Sequence, residues 1–350
     1  MNRRLKTVCW GAVPVVALAT LLSMDHVPGT DISLTVPYAA EGPGPSFNTL
    51  GTVEDQEVVE ISGAKSYPTT GQLNMTTVAV RTRMTLAQAI QRWLLSDDTL
   101  VPIEQIIPPE LSPEQVDQVN KMSFSVSEAQ AIAAALTYLD RPVVVEATGV
   151  LDNSAAQGKF SAGDRILAID GRPVNQPTAV REAVLEHRPG DTVTVRVSRD
   201  KSERDVEVKL GESPQDSSQP MLGVLMTVAA EDGMEVDFNL QDIGGPSAGM
   251  IFALAVIDKL TPEELTGGHF VAGTGSISED GSVGEIGGIP HKARSAHDLG
   301  AELFLAPAGN CAELGGQDYP GMTVARVSTL ADAVTEMDNF AHGRPVNTCQ

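Results

Sequence analysis

This 350-residue chain is short of basic side chains: 24 Lys and Arg stand against 46 Asp and Glu, a formal net charge of −22. The acidic residues are spread along the chain, so its field repels polyanions, and no basic stripe offsets it. Nucleic acid is excluded as a partner. Aromatic residues make up only 4% of the chain. The hydrophobic share of 42% is nevertheless ordinary for globular protein, and the length suffices for two or three cores. There are three cysteines, with no C-x-x-C spacing and no histidine cluster beside them, so no metal site is expected. A G-x-x-x-x-G-K-[ST] loop is also missing, which leaves no sequence signal for binding ATP, and no cofactor is expected.

Long apolar runs are absent with one exception. Arg3, Arg4 and Lys6 precede "VCWGAVPVVALATLLSM", an uncharged run from Val8 to Met24 that ends at Asp25. A basic flank followed by an apolar run at the start reads as a single transmembrane helix within residues 1–30. Its basic end would stay in the cytoplasm and everything after Asp25 would lie outside, tethered to the cell membrane. In that oxidising location Cys311 and Cys349 are expected to form a disulfide, Cys9 being inside the anchor.

Residues 31–140 read as strands followed by helices. Thr85 is placed to cap "LAQAIQRWLL", Ser112-Pro113 to open a second helix, and Ser127 to open a third. From 141 the composition turns β-rich, with the alternating strands "DTVTVRVSR" and "ERDVEVKL", and a polar linker occupies 213–220. The stretches Gly158-Lys159-Phe160-Ser161-Ala162-Gly163-Asp164 and Ile166 to Val174, "ILAIDGRPV", resemble a bacterial PDZ domain, covering 141–212. That resemblance implies capture of an extended peptide on an open sheet edge, with Val150 and Leu151 as the candidate peptide-binding residues.

Two serine motifs then compete. "Ser62-Gly63-Ala64-Lys65" fits S-x-x-K, but the S-D-N and K-T-G elements that accompany it in penicillin-binding enzymes do not occur. "GGPSAGM", residues 244–250, fits G-x-S-x-G. The α/β-hydrolase version of that motif follows a buried strand, whereas "MEVDFNL" alternates as a half-exposed one. Downstream, "AGMIFALAVIDKL" is apolar almost all round and predicts a buried helix that Ser247 opens. A nucleophile at such a helix start has backbone N–H groups nearby for an oxyanion, while a plain serine cap would look the same.

The stretch "GEIGGIPHKARSAHDLGA" separates the two readings. Pro290 starts a second helix and puts Lys292 in its opening turn, where the dipole and a dry pocket disfavour the charged amine. A neutral lysine can take a proton from a serine hydroxyl. Gly245-Pro246-Ser247-Ala248-Gly249, Gly273-Thr274-Gly275 and Gly287-Gly288-Ile289-Pro290-His291-Lys292 together resemble the proteolytic domain of Lon, over 221–345 with a tail at 346–350. The resemblance implies Ser247 as nucleophile, Lys292 as general base, Thr274 as the hydroxyl orienting the lysine, and Asp242 as a nearby acid of open role.

The expected fold class is thus α+β/α/β: a Lon-type proteolytic domain of mixed sheets with helices, an inserted β-rich PDZ domain, and one preceding transmembrane helix. The layout resembles the membrane-anchored PDZ–Lon proteins of bacteria. It implies an ATP-independent serine endopeptidase acting on unfolded or extended polypeptides, with its oligomeric state open. Two other readings are a non-catalytic PDZ scaffold with a degenerate protease domain and an esterase with a histidine-based triad.

Overall fold

A computed structural model describes residues 3–96, 98–109, 111–151, 154–213, 216–240 and 243–349, with side chains from residue 10 onward. Its first element is helix α1, Arg3–Ser23, which packs beside helix α2, Leu86–Leu95. The expected transmembrane anchor is overturned: among the described residues no helix is long and apolar enough to cross a membrane. Helix α1 includes Arg3, Arg4 and Lys6 and carries Pro14 inside. Its uncharged part, residues 7–23, spans about 25 Å at roughly 1.5 Å per residue, short of a hydrocarbon core of about 30 Å, and three basic residues occupy its first turn. The single-pass arrangement expected for the remaining domains loses its basis with it.

Helix α2 starts at a capping box of Thr85 and Gln88, and helix α3, Pro113–Tyr138, at one of Ser112 and Gln115 with proline in the first turn. Ser127 opens no separate helix. Nothing around it breaks the periodicity, and α3 runs through it as one rod with Ser127 buried in its middle.

Two sheets organise the rest. The first is built from β1 (Tyr38–Asn48), β3 (Gln72–Arg81), β4 (Thr99–Pro102), β11 (Phe270–Gly273), β12 (Leu303–Pro307) and β13 (Thr323–Val327), in the order β13-β12-β11-β3-β1-β4. Strands β3, β11, β12 and β13 are parallel, with Gly273 beside Met75 and Leu305, while β1 runs antiparallel to both its neighbours. Both faces are covered, so β12 reads "LFLAP" without a polar residue and is buried throughout. Leu303 and Leu305 face helix α5, Gly249–Leu260, and helix α7, Leu330–Ala341. Phe304 and Ala306 face helix α6, Ile289–Asp298. Helix α5 is buried from Gly249 to Lys259, as its all-apolar surface requires. Strand β2, Val59–Ser62, pairs with β10, Glu235–Phe238, beside this core.

The second sheet comes from the β-rich segment: β5 (Val143–Val150), β6 (Arg165–Ile169), β7 (Thr192–Arg199), β8 (Ser202–Lys209) and β9 (Val224–Ala230), in the order β8-β7-β6-β5-β9. Helix α4, Pro177–Leu185, closes its own core with Val180 and Val184 against Val145, Ile166 and Val195. Strand β9 belongs to this sheet although it lies beyond residue 212, because Val224–Ala230 pairs antiparallel with Val143–Val150. The first sheet is therefore assembled from chain on both sides of the second.

Candidate active site

Ser247 lies in the loop that enters α5. Ala248 holds the cap position, and no side chain caps the helix, so the Ser247 hydroxyl is not used as a cap. Gly245 adopts φ +86°, a left-handed conformation open to glycine, and donates its N–H to the Asn120 carbonyl of α3 at 2.9 Å. Gly249 faces inward. A Cβ there would come within 2.6 Å of Ser127 Oγ and 2.7 Å of Ile277 Cγ2, so its smallness lets α5 approach α3 rather than admitting substrate. Ser127 Oγ donates to the Pro246 carbonyl at 3.0 Å, which ties the nucleophile loop to α3 from a second point.

Lys292 comes from the first turn of α6, after Gly288 and Pro290. Its Nζ donates to Ser247 Oγ at 2.8 Å and to Thr274 Oγ1 at 2.9 Å. Thr274 in turn donates its hydroxyl proton to the Ser247 carbonyl at 3.0 Å, and the Gly275 N–H reaches the same carbonyl at 2.9 Å. Because that proton is committed, Thr274 can only accept from the lysine, which turns the amine toward Ser247. Thr274 is fully buried and Lys292 is 3% exposed. Burial alone pushes the Lys292 amine down from its usual 10.5 to about 8, with no charged partner among the described residues contributing to the shift.

Ser247, Lys292 and Thr274, quoted from three separate stretches of sequence, thus meet, with Gly245, Pro246, Ala248 and Gly249 forming the loop that carries the serine. Asp242 lies outside the described residues. The other serine motif leads nowhere, since the Lys65 ammonium rests 4.3 Å over the Tyr67 ring. No described histidine reaches Ser247: His269 pairs with Glu302, His291 with Thr99, His297 with Asp298 and His342 with Asp338.

The serine opens onto a cavity of 640 Å³ whose walls include Phe47, Met75, Val78, Ile243 and Ile286. Sequence reasoning missed these residues. The alternation of "LNMTTVAV" gives Met75 and Thr77 a common face, but only the pairing of β3 with β1 and β11 puts that face beside the serine loop.

On the second sheet, Val150 and Leu151 do not offer a free edge. Val150 pairs with Val224, and the Leu151 N–H is taken by the Gly223 carbonyl at 2.9 Å. The outer strand is β9, and between it and α4 runs a groove of 620 Å³. Its lining includes Val184, Leu222, Val224 and Met226, which sequence reasoning had not singled out. Cys311 and Cys349 are joined, with Cα atoms 5.0 Å apart. No group of His, Cys, Asp or Glu among the described residues is arranged to hold a metal ion.

Residues 241–338 match the Lon protease (S16) C-terminal proteolytic domain, and residues 121–210 match the PDZ domain. The chain carries a Lon-type protease domain together with a PDZ domain, a make-up that supports a serine peptidase. It is 33% identical over 164 residues to Lon protease 1 of Bacillus subtilis, an alignment covering 41% of this chain and 21% of that protein. It is 31% identical over 134 residues to the archaeal Lon protease of Methanothermobacter thermautotrophicus, covering 36% and 20%. The chain spans about a fifth of the length of these curated relatives. A PDZ domain of an SdrC-like protein from Listeria monocytogenes aligns at 23% identity over 23% of this chain and 85% of that one, with a TM-score of 0.22.

Proposed function

We propose that the chain is a serine endopeptidase with a Ser247–Lys292 dyad that works without ATP on unfolded or extended polypeptides. The observation that carries this reading is the buried Lys292 amine shared between Ser247 Oγ and Thr274 Oγ1. With its pKa near 8, a substantial fraction of the amine is neutral at mildly alkaline pH and can accept the serine proton.

Ser247 Oγ attacks the scissile carbonyl while its proton passes to Lys292 Nζ. The N–H groups at the start of α5, other than that of Met250, which is donated to the Gly275 carbonyl at 3.0 Å, and the positive end of that helix stabilise the oxyanion. The ammonium then protonates the leaving amine, and the C–N bond breaks to give an acyl-enzyme on Ser247. Water attacks the ester, Lys292 takes one of its protons and returns it to Ser247 Oγ, and the carboxylic acid product leaves. The groove beside β9 holds an extended segment of the substrate. The sequence shows no nucleotide-binding loop, so substrates would have to arrive already extended.

Cleavage of an unstructured polypeptide by the wild-type chain and by Ser247→Ala, Lys292→Ala and the double variant tests this reading. Each single variant should lose activity, and the double should be no worse than either, because the pair acts as a unit. Retained turnover in Lys292→Ala, with loss in a histidine variant instead, would favour an esterase-type triad. No cleavage by the wild-type chain would leave a binding scaffold.

A further inference from the structure

The serine cleft has apolar walls with one charged exception. Phe47 on β1, Met75 and Val78 on β3, Ile243 and Ile286 are joined there by Glu285, the one acid lining the cleft among the described residues. Glu285 is exposed, and among the described residues no basic side chain pairs with it. The cleft's own cation, Lys292, is buried and held by Ser247 and Thr274, and burial alone accounts for its lowered pKa. Glu285 thus stands apart from the proton-transfer pair although both line one cavity.

Its place is fixed by the turn Ala308–Asn310 that follows β12. Asn310 is 2% exposed, and its side-chain amide takes both backbone groups of the residue after Glu285. The Ile286 N–H donates to Asn310 Oδ1 at 2.9 Å, and Asn310 Nδ2 donates to the Ile286 carbonyl at 2.9 Å. A further donation from Nδ2 to Glu313 Oε1 at 2.6 Å orients the amide. The Glu285 side chain itself lies over Gly309, where an added Cβ would collide with its carboxylate and its Cγ. One turn therefore sets the backbone of this wall and leaves the space that the side chain occupies. A carboxylate held this way gives up little freedom when it meets a cation.

Apolar walls with a preset carboxylate suit a long aliphatic side chain that ends in a cation. Resting on the peptidase reading above, we propose that Glu285 is a specificity-determining residue: the cleft takes an Arg or Lys of the substrate beside the scissile bond, its stem along the apolar walls and its charge on the Glu285 carboxylate. Asn310 and Gly309 act through Glu285 as positioning residues. The preference is local to the cleft. The net charge of −22 draws in any cationic peptide, wherever along that peptide its charge lies.

Peptide isomers of one composition, in which a single Arg is moved along the sequence, separate the two effects. The isomer with Arg adjoining the scissile bond should show a kcat/KM about ten-fold above that with Arg at the peptide's end, the worth of one hydrogen bond to a charged group. Glu285→Gln should abolish that ratio, and Glu285→Lys should transfer it to the matching Glu isomers. Gly309→Ala, which displaces the Glu285 side chain, should lower the ratio too, but not further in the Glu285→Gln background. Isomers cleaved equally well, or a ratio that survives Glu285→Gln, would overturn the proposal and leave the peptidase reading standing.

Binding of the same isomers to full-length Ser247→Ala protein needs no turnover. The favoured isomer should bind about ten-fold more tightly than the one with a terminal Arg, and the difference should vanish when Glu285→Gln is added. That pattern without any cleavage by the wild-type chain would support the Glu285 subsite while refuting the peptidase reading. Equal affinities across the isomers would refute the subsite.

Discussion

Thr274 Oγ1 accepts from Lys292 Nζ at 2.9 Å while giving its own proton to the carbonyl of Ser247 at 3.0 Å. One hydroxyl thereby fixes the direction of the amine and the backbone of the residue it serves. Thr274→Val keeps the shape and removes both bonds, leaving a buried amine short of an acceptor. The expected result is a fall in kcat of about 10²-fold, within the usual range for losing part of an acid–base device, with KM little changed. Thr274→Ser should restore most of it. Steady-state kinetics of the two variants decide, and equal losses in both would assign Thr274 to packing alone.

The rate should follow the neutral fraction of Lys292. Burial lowers its pKa to about 8, so activity rises with pH and levels off above that value. A kcat/KM profile on a short peptide should show one ascending limb with its midpoint near 8. A profile flat from about pH 6 to 9 is incompatible with a lysine base of this pKa.

The same burial has a cost in stability. A lysine at 10.5 in the unfolded chain and about 8 in the fold binds its proton more weakly when folded. The penalty is fully present below pH 8 and fades as pH rises toward 10.5. At about 1.4 kcal/mol per pKa unit it amounts to roughly 3 kcal/mol. Lys292→Met fills the same space without a charge, so it should be inactive yet more stable at pH 6–7 by about 1–3 kcal/mol, after the lost hydrogen bonds are offset. Urea denaturation at pH 6.5 measures the difference, and a variant less stable than wild type contradicts the sign.

The bond between Cys311 and Cys349 closes a loop with a sequence separation of 38. Chain entropy assigns such a loop about 4 kcal/mol at most. The tail is also paired to β13, with Arg326 donating to the Asn347 carbonyl at 2.8 Å and Cys349 to that of Val324 at 3.1 Å. Cys349→Ser should therefore lower stability by less than that ceiling while leaving kcat intact, because neither cysteine approaches the serine cleft. Intact mass without reductant should fall two hydrogens short of the fully reduced chain.

How much of this could be read from sequence depended on how local each signal was. The start of α6 and the burial of α5 follow from residues within one or two turns, Gly288-Ile289-Pro290 for the first and "MIFALAVI" for the second. Two features had no local signature. Nothing near Ser127 shows that it packs against Pro246, because that partner is 119 residues away. Nor does "VLMTVAA" reveal that it pairs with Val143–Val150, which moves the free edge from Val150 and Leu151 to β9. The apolar run at the start misled for another reason: the basic residues read as its cytoplasmic flank belong to the same helix, and no helix among the described residues is long and apolar enough to cross a membrane. The serine–lysine contact crosses 45 residues, and only the three glycine-flanked stretches taken together pointed to it.

The most direct test of the account is where, and how fast, a serine-directed phosphonate attaches. Incubation of the wild-type chain with a peptidyl phosphonate, followed by tryptic mass mapping, should place a single adduct on Ser247. Its rate of formation should rise with pH around a midpoint near 8 and collapse in Lys292→Ala. An adduct on another residue, or one forming on Ser247 at an undiminished rate without Lys292, would contradict the claim that this lysine activates this serine.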